Sequence, residues 1–382
     1  MADDFEETLE IETNFSSGGI FYNESLNISN CVSGYCNNLT GQGPDERYQE
    51  VERLVQIIVP TVFGVIFLLG LLGNTLVILV VVSDKNMRNT TNILILALAV
   101  ADLLFIVFCV PFTAVQYAMS VWPFGSVWCK MVQYLVFVSA YLSVYTLVLM
   151  SLDRYLAVAH AIRSMSIRNE RNTWLAVALT WVVIVGGHVP LLLQYDVHHY
   201  SYYGENRSAC LNKKHVVDKT NGRIFYSCFL AFGYVIPLGA VCLMYGLMLK
   251  RLHGSAPGGS QSQESVRTKR RVTKMVVIIV MIFAVCWLPI QIILLLQKLD
   301  MYPMDQIPFV GLQLASNCLA YMNSCVNPFL YAFLSENFRR SFRKFLCCSS
   351  PRGRHPEYEL VSVRQTENVS LLTQNKKRSI TG

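Results

Sequence analysis

The stretch Thr90–Met119 reads TTNILILALAVADLLFIVFCVPFTAVQYAM and contains one charged residue, Asp102. A helix needs roughly 20 apolar residues to cross the hydrocarbon core of a bilayer, so this stretch is long enough. The chain has 32 Lys and Arg and 25 Asp and Glu, yet six further long apolar stretches contain none of them. They are Leu54–Val82, Met131–Leu152, Trp174–Tyr195, Ile224–Leu249, Met275–Gln297 and Gln306–Ser335. The sequence therefore predicts an all-α membrane protein, a bundle of seven transmembrane helices. It excludes a soluble globular enzyme, and it excludes a β-barrel, whose strands are short and alternating.

The charges outside these stretches predict the orientation of the chain. The net charge is +7, although residues 1–50 carry ten acids and one base. If the N-terminus is outside, the inner segments hold 17 Lys and Arg and the outer loops hold 7. Inner loops of membrane proteins are enriched in Lys and Arg, so we expect an extracellular N-terminus and a cytoplasmic C-terminus. Because the basic residues lie beside apolar stretches, they indicate a membrane protein and no nucleic-acid partner.

The segment before the first stretch, residues 1–53, is predicted to be a polar extracellular tail. It is too poor in apolar residues to fold alone. Four sites in it match the acceptor pattern for N-linked glycosylation, Asn-X-Ser/Thr, and we expect all four to be glycosylated. They are Asn14, Asn23, Asn27 and Asn38.

The seven-helix domain comprises residues 54–335. The chain that follows it divides into two parts. Residues 336–348 predict a short amphipathic eighth helix on the inner membrane surface, with basic side chains facing anionic lipid headgroups. Cys347 and Cys348 end it, and cysteines beside a membrane in this way are typical palmitoylation sites. Residues 349–382 predict a disordered cytoplasmic tail.

Four cysteines lie on the predicted outer side, where the compartment is oxidising and disulfides form. Cys129 lies at the outer end of the third helix and Cys210 in the second outer loop, so a bond between them is plausible. Cys31 and Cys36 lie close together in the tail and could form a small local loop. Residue types and positions alone leave the pairing open.

Asp102 lies at mid-depth in the second stretch, where a carboxylate is costly and indicates a function. Oxygen-bearing side chains on other stretches are candidates to hold a sodium ion with it, namely Ser143, Asn323 and Ser324. The alternative is a protonated or water-linked Asp102 that only ties helices together. The sequence leaves both interpretations open.

A set of short motifs occurs in order along the seven stretches and the loops between them. The motifs are Gly73-Asn74, LAVAD at 98–102, WPFG at 122–125, DRY at 153–155, Trp181, Pro237, CWLP at 286–289 and NPFLY at 327–331. Together they make residues 50–348 resemble the rhodopsin-like, or class A, G-protein-coupled receptors. Within that superfamily the chain is most similar to the galanin and insect allatostatin-A neuropeptide receptors.

The resemblance implies roles for individual residues. It implies a Cys129–Cys210 disulfide, a heterotrimeric G protein as the inner partner, and arrestin as a further partner. It also implies an activation switch formed by Asp153, Arg154, Tyr155, Tyr245, Trp287, Pro289, Asn327, Pro328 and Tyr331. Many relatives have an acid at the start of the sixth helix that pairs with the arginine. This chain has none within Arg267–Lys274, so such an ion pair is not expected here.

Two kinds of charged side chain are missing from the stretches, and their absence excludes two classes of ligand. The seventh stretch has no Lys to bind retinal, and the outer half of the third has no carboxylate to bind an amine. The predicted pocket is instead neutral, polar and aromatic. Its residues are Gln116, Tyr117, Gln133, Phe137, Gln291, Gln313, Asn317 and Tyr321.

These features predict a plasma-membrane receptor for an amidated neuropeptide of the allatostatin-A or galanin kind, signalling through an inhibitory G protein. The alternative is a receptor of the same fold for a lipid or a small metabolite. We expect no enzymatic activity and no cofactor apart from the sodium ion. Membrane lipids are the remaining expected partners.

Overall fold

The computed structural model describes residues 46–84, 87, 89–160, 163–202, 205–213, 219–254, 263–303, 306–334 and 336–347. The glycosylation sites Asn14, Asn23, Asn27 and Asn38 lie outside these residues, as do Cys348 and the C-terminal tail. The side chain of Cys347 also lies outside the described part.

Seven helical spans follow one another within the described residues, numbered here in chain order. Span 1 begins at Glu46, inside the segment assigned to the tail, and most other spans also extend beyond their apolar stretches into polar residues. The bounds are Glu46–Ser83 for span 1, Thr90–Phe108 and Val110–Ala118 for span 2, Gly125–Ala159 for span 3, Glu170–Gly187 with the 3-10 helix Val189–Leu193 for span 4, Lys219–Leu230 and Ile236–Gly254 for span 5, Gln263–Lys298 for span 6, and Ile307–Leu334 for span 7.

Spans 1 to 6 are each long and apolar enough to cross a membrane. Span 7 has 28 residues and no charged side chain, but it is less apolar because Gln313, Asn317, Asn323 and Asn327 lie along it. Three of these four are buried. The polar side chains of span 7 therefore mostly face the interior of the bundle. Large apolar side chains on other spans, such as Val182 and Val183 at 70% exposed, face outward where lipid is expected.

Several spans are irregular at positions that the sequence marks. Span 2 breaks at Cys109, just before Pro111, and a proline ring clashes with the preceding turn and so kinks or breaks a helix. Span 5 contains a π-helical turn, Ala231–Val235, just before Pro237. Pro60, Pro289 and Pro328 lie inside spans 1, 6 and 7. A proline removes a backbone hydrogen bond and permits a bend at these points.

Spans 1, 2 and 7 pack closely because span 1 presents glycines. A β-carbon on Gly70 would lie 2.0 Å from Ile106 Cδ1, and one on Gly73 would lie 2.9 Å from Pro328 Cβ. Asn74, one position on, donates from Nδ2 to the Ser324 carbonyl at 2.9 Å. Gly73 thus allows spans 1 and 7 to approach closely, and Asn74 joins the same two spans by a hydrogen bond.

The second outer loop forms an antiparallel hairpin of β1, Tyr195–Tyr202, and β2, Glu205–Asn212. Val197 pairs with Cys210 in its register. The fourth apolar stretch was predicted to reach Tyr195, and no strands were predicted here.

The WPFG sequence joins this hairpin to the start of span 3. The backbone N–H of Trp122 donates to the Ser208 carbonyl at 3.1 Å, and the indole Nε1 donates to the Gly125 carbonyl at 2.9 Å. Gly125 has φ +73°, a left-handed conformation that glycine adopts without strain, and it begins the helix.

The C-terminal helix runs over Glu336–Cys347 and carries Arg339, Arg340, Arg343 and Lys344. The Phe338 ring stacks on Tyr331 with centroids 5.5 Å apart. The predicted eighth helix is therefore present, while its position on the inner membrane surface stays a prediction.

Candidate functional site

A cavity lies between the outer halves of the spans. The space among its lining residues is about 780 Å³, which includes open solvent. The fifteen lining residues are all uncharged: Thr113, Gln116, Tyr117, Gln133, Val136, Phe137, Tyr226, Phe229, Trp287, Ile290, Leu294, Gln313, Asn317, Ala320 and Tyr321.

Seven of the eight predicted pocket residues line this cavity, and Gln291 does not. Gln291 is buried, at 2% exposed, while its helical neighbours Ile290 and Leu294 reach the cavity. Adjacent positions on a helix point about 100° apart, so the orientation of span 6 decides which of them faces inward.

Sequence reasoning missed several lining residues, among them Tyr226 and Phe229 of span 5. Their spacing of three residues places them on one helical face. This spacing can be read from the sequence, but it does not show whether the face points at the cavity or at lipid.

The polar groups in the cavity wall form hydrogen bonds between spans. Asn317 Nδ2 donates to the Tyr117 hydroxyl at 3.1 Å, and the hydroxyls of Thr113 and Tyr321 are 3.1 Å apart. At the outer end, Gln297 Nε2 donates to Gln313 Oε1 at 2.8 Å. These bonds fix the side chains of spans 2, 6 and 7, and Asn317 Oδ1 and the tyrosine rings can contact an amide or aromatic ligand group.

Trp287 reaches the cavity from span 6, and its ring stacks on Phe283 with centroids 5.9 Å apart. Pro289 lies two residues further along the same helix. A ligand that contacts this indole therefore acts close to the point where span 6 can bend.

The hairpin is joined to span 3 by the predicted disulfide. Cys129 and Cys210 are both fully buried, with their Cα atoms 5.5 Å apart. Nearby, the Asp196 carboxylate accepts from Ser126 and pairs with Lys213, and Lys130 Nζ lies 3.8 Å away. The pKa of Asp196 lies below its usual range because Lys213 and Ser126 hydrogen bond to the charged form. The carboxylate thus stays ionised and contributes to holding the hairpin at the cavity mouth.

The tip of the hairpin also contacts span 1. Arg207 Nη1 donates to Glu52 Oε1 at 2.8 Å, and Arg207 Nη2 donates to Glu205 Oε2 at 3.0 Å. Arg207 and Glu52 are each less than one fifth exposed. The polar first turns of span 1, which the sequence analysis assigned to the tail, therefore belong to the outer surface around the cavity.

Asp102 lies fully buried in a polar cluster deeper in the bundle. Its Oδ1 accepts from Ser143 Oγ at 3.3 Å and its Oδ2 accepts from Asn327 Nδ2 at 2.8 Å. Ser324 adds a further side-chain hydrogen bond, and Asn323 is buried. Ser143 of span 3 and Ser324 of span 7 thus place hydroxyl oxygens near the carboxylate, whereas Asn327 contacts it through an amide nitrogen. Carboxylate and hydroxyl oxygens are ligands that suit a small hard cation.

Arg154 and Asp153 lie near the C-terminal end of span 3, each 8% exposed. Arg154 Nε donates to Asp153 Oδ2 at 3.1 Å, and its Nη2 contacts Asp153 and the Thr91 hydroxyl. The carboxylate that pairs with Arg154 is therefore its own neighbour, consistent with the absence of an acid at the start of span 6.

The three tyrosines of the predicted switch occupy different settings. Tyr155 is half-buried with its hydroxyl 3.5 Å from His160 Nε2, and Tyr331 is fully buried. The hydroxyls of Tyr245 and Tyr331 are both buried without a hydrogen-bond partner among the described residues.

Comparison with known proteins gives a consistent result. Residues 73–331 match the family described as "7 transmembrane receptor (rhodopsin family)". An allatostatin-A receptor of Bombyx mori is 51% identical over 326 residues, covering 83% of this chain and 90% of its own length. A galanin-like G-protein coupled receptor of Caenorhabditis elegans is 37% identical, covering 85% and 87%. Human galanin receptor type 1 is 36% identical, covering 80% and 85%.

Proposed function

The chain belongs to the rhodopsin family of seven-transmembrane receptors, whose members are not enzymes, and on this premise we propose that it is a receptor for an amidated neuropeptide. The observation that carries the proposal is the cavity, whose lining residues are all neutral and rich in amide and aromatic side chains. Such a surface can exchange hydrogen bonds with a carboxamide and pack against an aromatic residue of a peptide. The names of the similar proteins, receptors for allatostatin-A and galanin, support the same ligand class.

The proposed ligand enters with its amidated C-terminus between spans 3, 6 and 7. There it contacts Trp287, whose span contains Pro289, a residue that permits a bend. A ligand shifts a conformational equilibrium only by the difference in its affinity for the two states. Contacts that are better in the bent state would favour an outward movement of the inner half of span 6 and release Arg154 to meet the G protein.

The ligand half of the proposal is tested with matched peptides. A synthetic allatostatin-A peptide amide and its free acid differ only at the C-terminal group. A carboxylate would be desolvated in a cavity without a cationic lining residue, so the acid should be weaker by at least about tenfold, the ratio that ~1.4 kcal/mol represents. Potency of both forms is measured in cells expressing the receptor, and equal potency would contradict amide recognition.

For the inner partner we propose an inhibitory-type G protein. The third inner loop is short and is flanked by basic residues, which supports the assignment by analogy with relatives. Inhibition of cyclic-AMP formation should disappear after pertussis toxin treatment. A response that persists in full in toxin-treated cells would mean that another G-protein class is used.

Further parts of the proposal concern the membrane and its two faces. The N-terminus is extracellular and glycosylated, the C-terminus is cytoplasmic, and the receptor acts in the plasma membrane. Asp102, Ser143, Asn323 and Ser324 hold a sodium ion in the inactive state. Palmitates on Cys347 and Cys348 join the C-terminal helix to membrane lipids, and arrestin binds the activated receptor.

A further inference from the structure

Asp153 has a second cationic partner besides Arg154. Arg168 Nε, fifteen residues further along the chain in the second inner loop, donates to Asp153 Oδ1 at 2.8 Å. The two cations use different oxygens, because Arg154 bonds to Oδ2. Thr90 also donates to Oδ1 and Thr91 to Oδ2, each at 3.1 Å. One carboxylate therefore receives bonds from span 2, span 3 and the loop.

The backbone of the loop places Arg168 at this position. The segment Arg163–Asn169 forms helical turns, in which the N–H groups of Ile167 and Arg168 donate to the Ser164 carbonyl. Ser164 is 1% exposed, and its hydroxyl donates to the Leu156 carbonyl of span 3 at 3.0 Å. Asn169 then caps the next helix by accepting from the Asn172 N–H at 2.8 Å. Arg168 is thus fixed between a buried serine and a helix cap.

The proposed function requires Arg154 to leave Asp153, and this departure has an electrostatic cost. A buried carboxylate that loses its one cation is strongly destabilised, since the desolvation of the charge is no longer compensated. Arg168 changes this outcome because it pairs with the opposite oxygen and lies on a different element. When Arg154 moves away, the carboxylate keeps one cation and two hydroxyl donors.

We propose that Arg168 is a positioning residue for activation: it keeps Asp153 compensated when Arg154 is released, and so lowers the free energy of the active state. This inference rests on the proposed function. It assigns the role to Arg168 acting through Asp153, without contact between Arg168 and the ligand.

The test compares nucleotide exchange on a purified inhibitory-type G protein, with and without the allatostatin-A peptide amide. Arg168→Gln keeps a hydrogen-bonding side chain but removes the charge. We expect its basal exchange to fall and its peptide potency to drop by roughly 10- to 150-fold, the factor to which the contribution of a hydrogen bond to a charged group converts. Arg168→Lys keeps the charge and should restore most of the loss. Arg171→Gln removes an exposed charge three residues further on and should behave like the unchanged receptor.

A double-mutant cycle separates this role from a structural one. In Asp153→Asn there is no carboxylate charge to compensate, so adding Arg168→Gln should change exchange by less than about twofold. Equal activity of Arg168→Gln and the unchanged receptor would overturn the inference. A loss of the same size in the Asp153→Asn background, or one explained by lower surface expression, would also overturn it and indicate a structural role. If the peptide has no effect on the unchanged receptor, the proposed ligand fails, while the basal rates still test Arg168.

Discussion

Asp102 shows at the scale of one residue how a carboxylate is tolerated inside an apolar helix. Both of its oxygens accept hydrogen bonds, from Ser143 of span 3 and Asn327 of span 7. A polar group in the membrane interior that is satisfied in this way ties the helices which supply its partners. Any ligand that binds the cluster in one conformation only would therefore act on all three spans together.

Sodium sensitivity of agonist affinity is the prediction that belongs to this residue. If sodium binds the inactive state at Asp102, raising its concentration should weaken binding of the peptide amide. Asp102→Asn should lose this dependence because the amide has no charge to hold the ion. Affinity is measured in sodium chloride and in choline chloride at equal ionic strength.

Asp84→Asn is the matched control, since it removes a carboxylate that directly follows span 1, outside the cluster. It should keep the sodium dependence. Unchanged sodium dependence in Asp102→Asn would place the ion elsewhere.

At the scale of an element, the outer hairpin depends on span 3 and span 1 for its position. The disulfide joins β2 to span 3, Asp196 pairs β1 with Lys130 and Lys213, and Arg207 pairs with Glu52. A two-stranded hairpin is marginally stable by itself in water. Its contacts with the bundle therefore decide its conformation, and with it the shape of the cavity mouth.

Removing the disulfide should abolish peptide binding or surface expression. The bond spans 81 residues of sequence, and a cross-link closing a loop of that size stabilises a fold by roughly 4 kcal/mol in the chain-entropy model. Cys210→Ala is compared with Cys228→Ala, which removes an exposed free cysteine of span 5. Radioligand binding and surface labelling should fall only in Cys210→Ala, and normal binding in that variant would show that the hairpin holds its position without the bond.

At the scale of the whole molecule, the two faces of the bundle carry different charged groups. The acid-rich end of span 1, the hairpin and the cavity lie towards one face of the bundle. Arg154, Arg168 and the basic start of span 6 lie towards the other. A ligand and an inner partner thus meet opposite faces, and only rearranged spans can couple them.

Two lysines test this orientation directly. Lys213 at the end of the hairpin has a side chain 60% exposed, and Lys274 at the start of span 6 is also exposed. With the N-terminus outside, a membrane-impermeant amine reagent applied to intact cells should modify Lys213 and leave Lys274 unmodified. Permeabilised cells should show modification of both by mass spectrometry. The reverse pattern in intact cells would invert the topology.

Much of the architecture could be predicted from the sequence because the membrane imposes a simple rule. Charged residues are excluded from apolar stretches of about 20 residues, so counting charges locates the seven spans. Span ends were less predictable, since the helices continue into polar residues such as Glu46 and Glu170. The resemblance to a receptor family supplied the Cys129–Cys210 pair, which the positions of the cysteines alone left open.

The order of residues along the chain therefore suffices to predict seven helices, a buried carboxylate and a neutral set of outer residues. The tertiary structure decided which helical faces turn inward, which removed Gln291 from the cavity and added Tyr226 and Phe229. It also decided contacts between distant segments, such as Arg168 with Asp153 and Arg207 with Glu52. Helical periodicity fixes the angles between side chains on one helix, but the rotation of that helix is set by packing against its neighbours. Loop conformations likewise depend on surfaces that exist only once the bundle has formed.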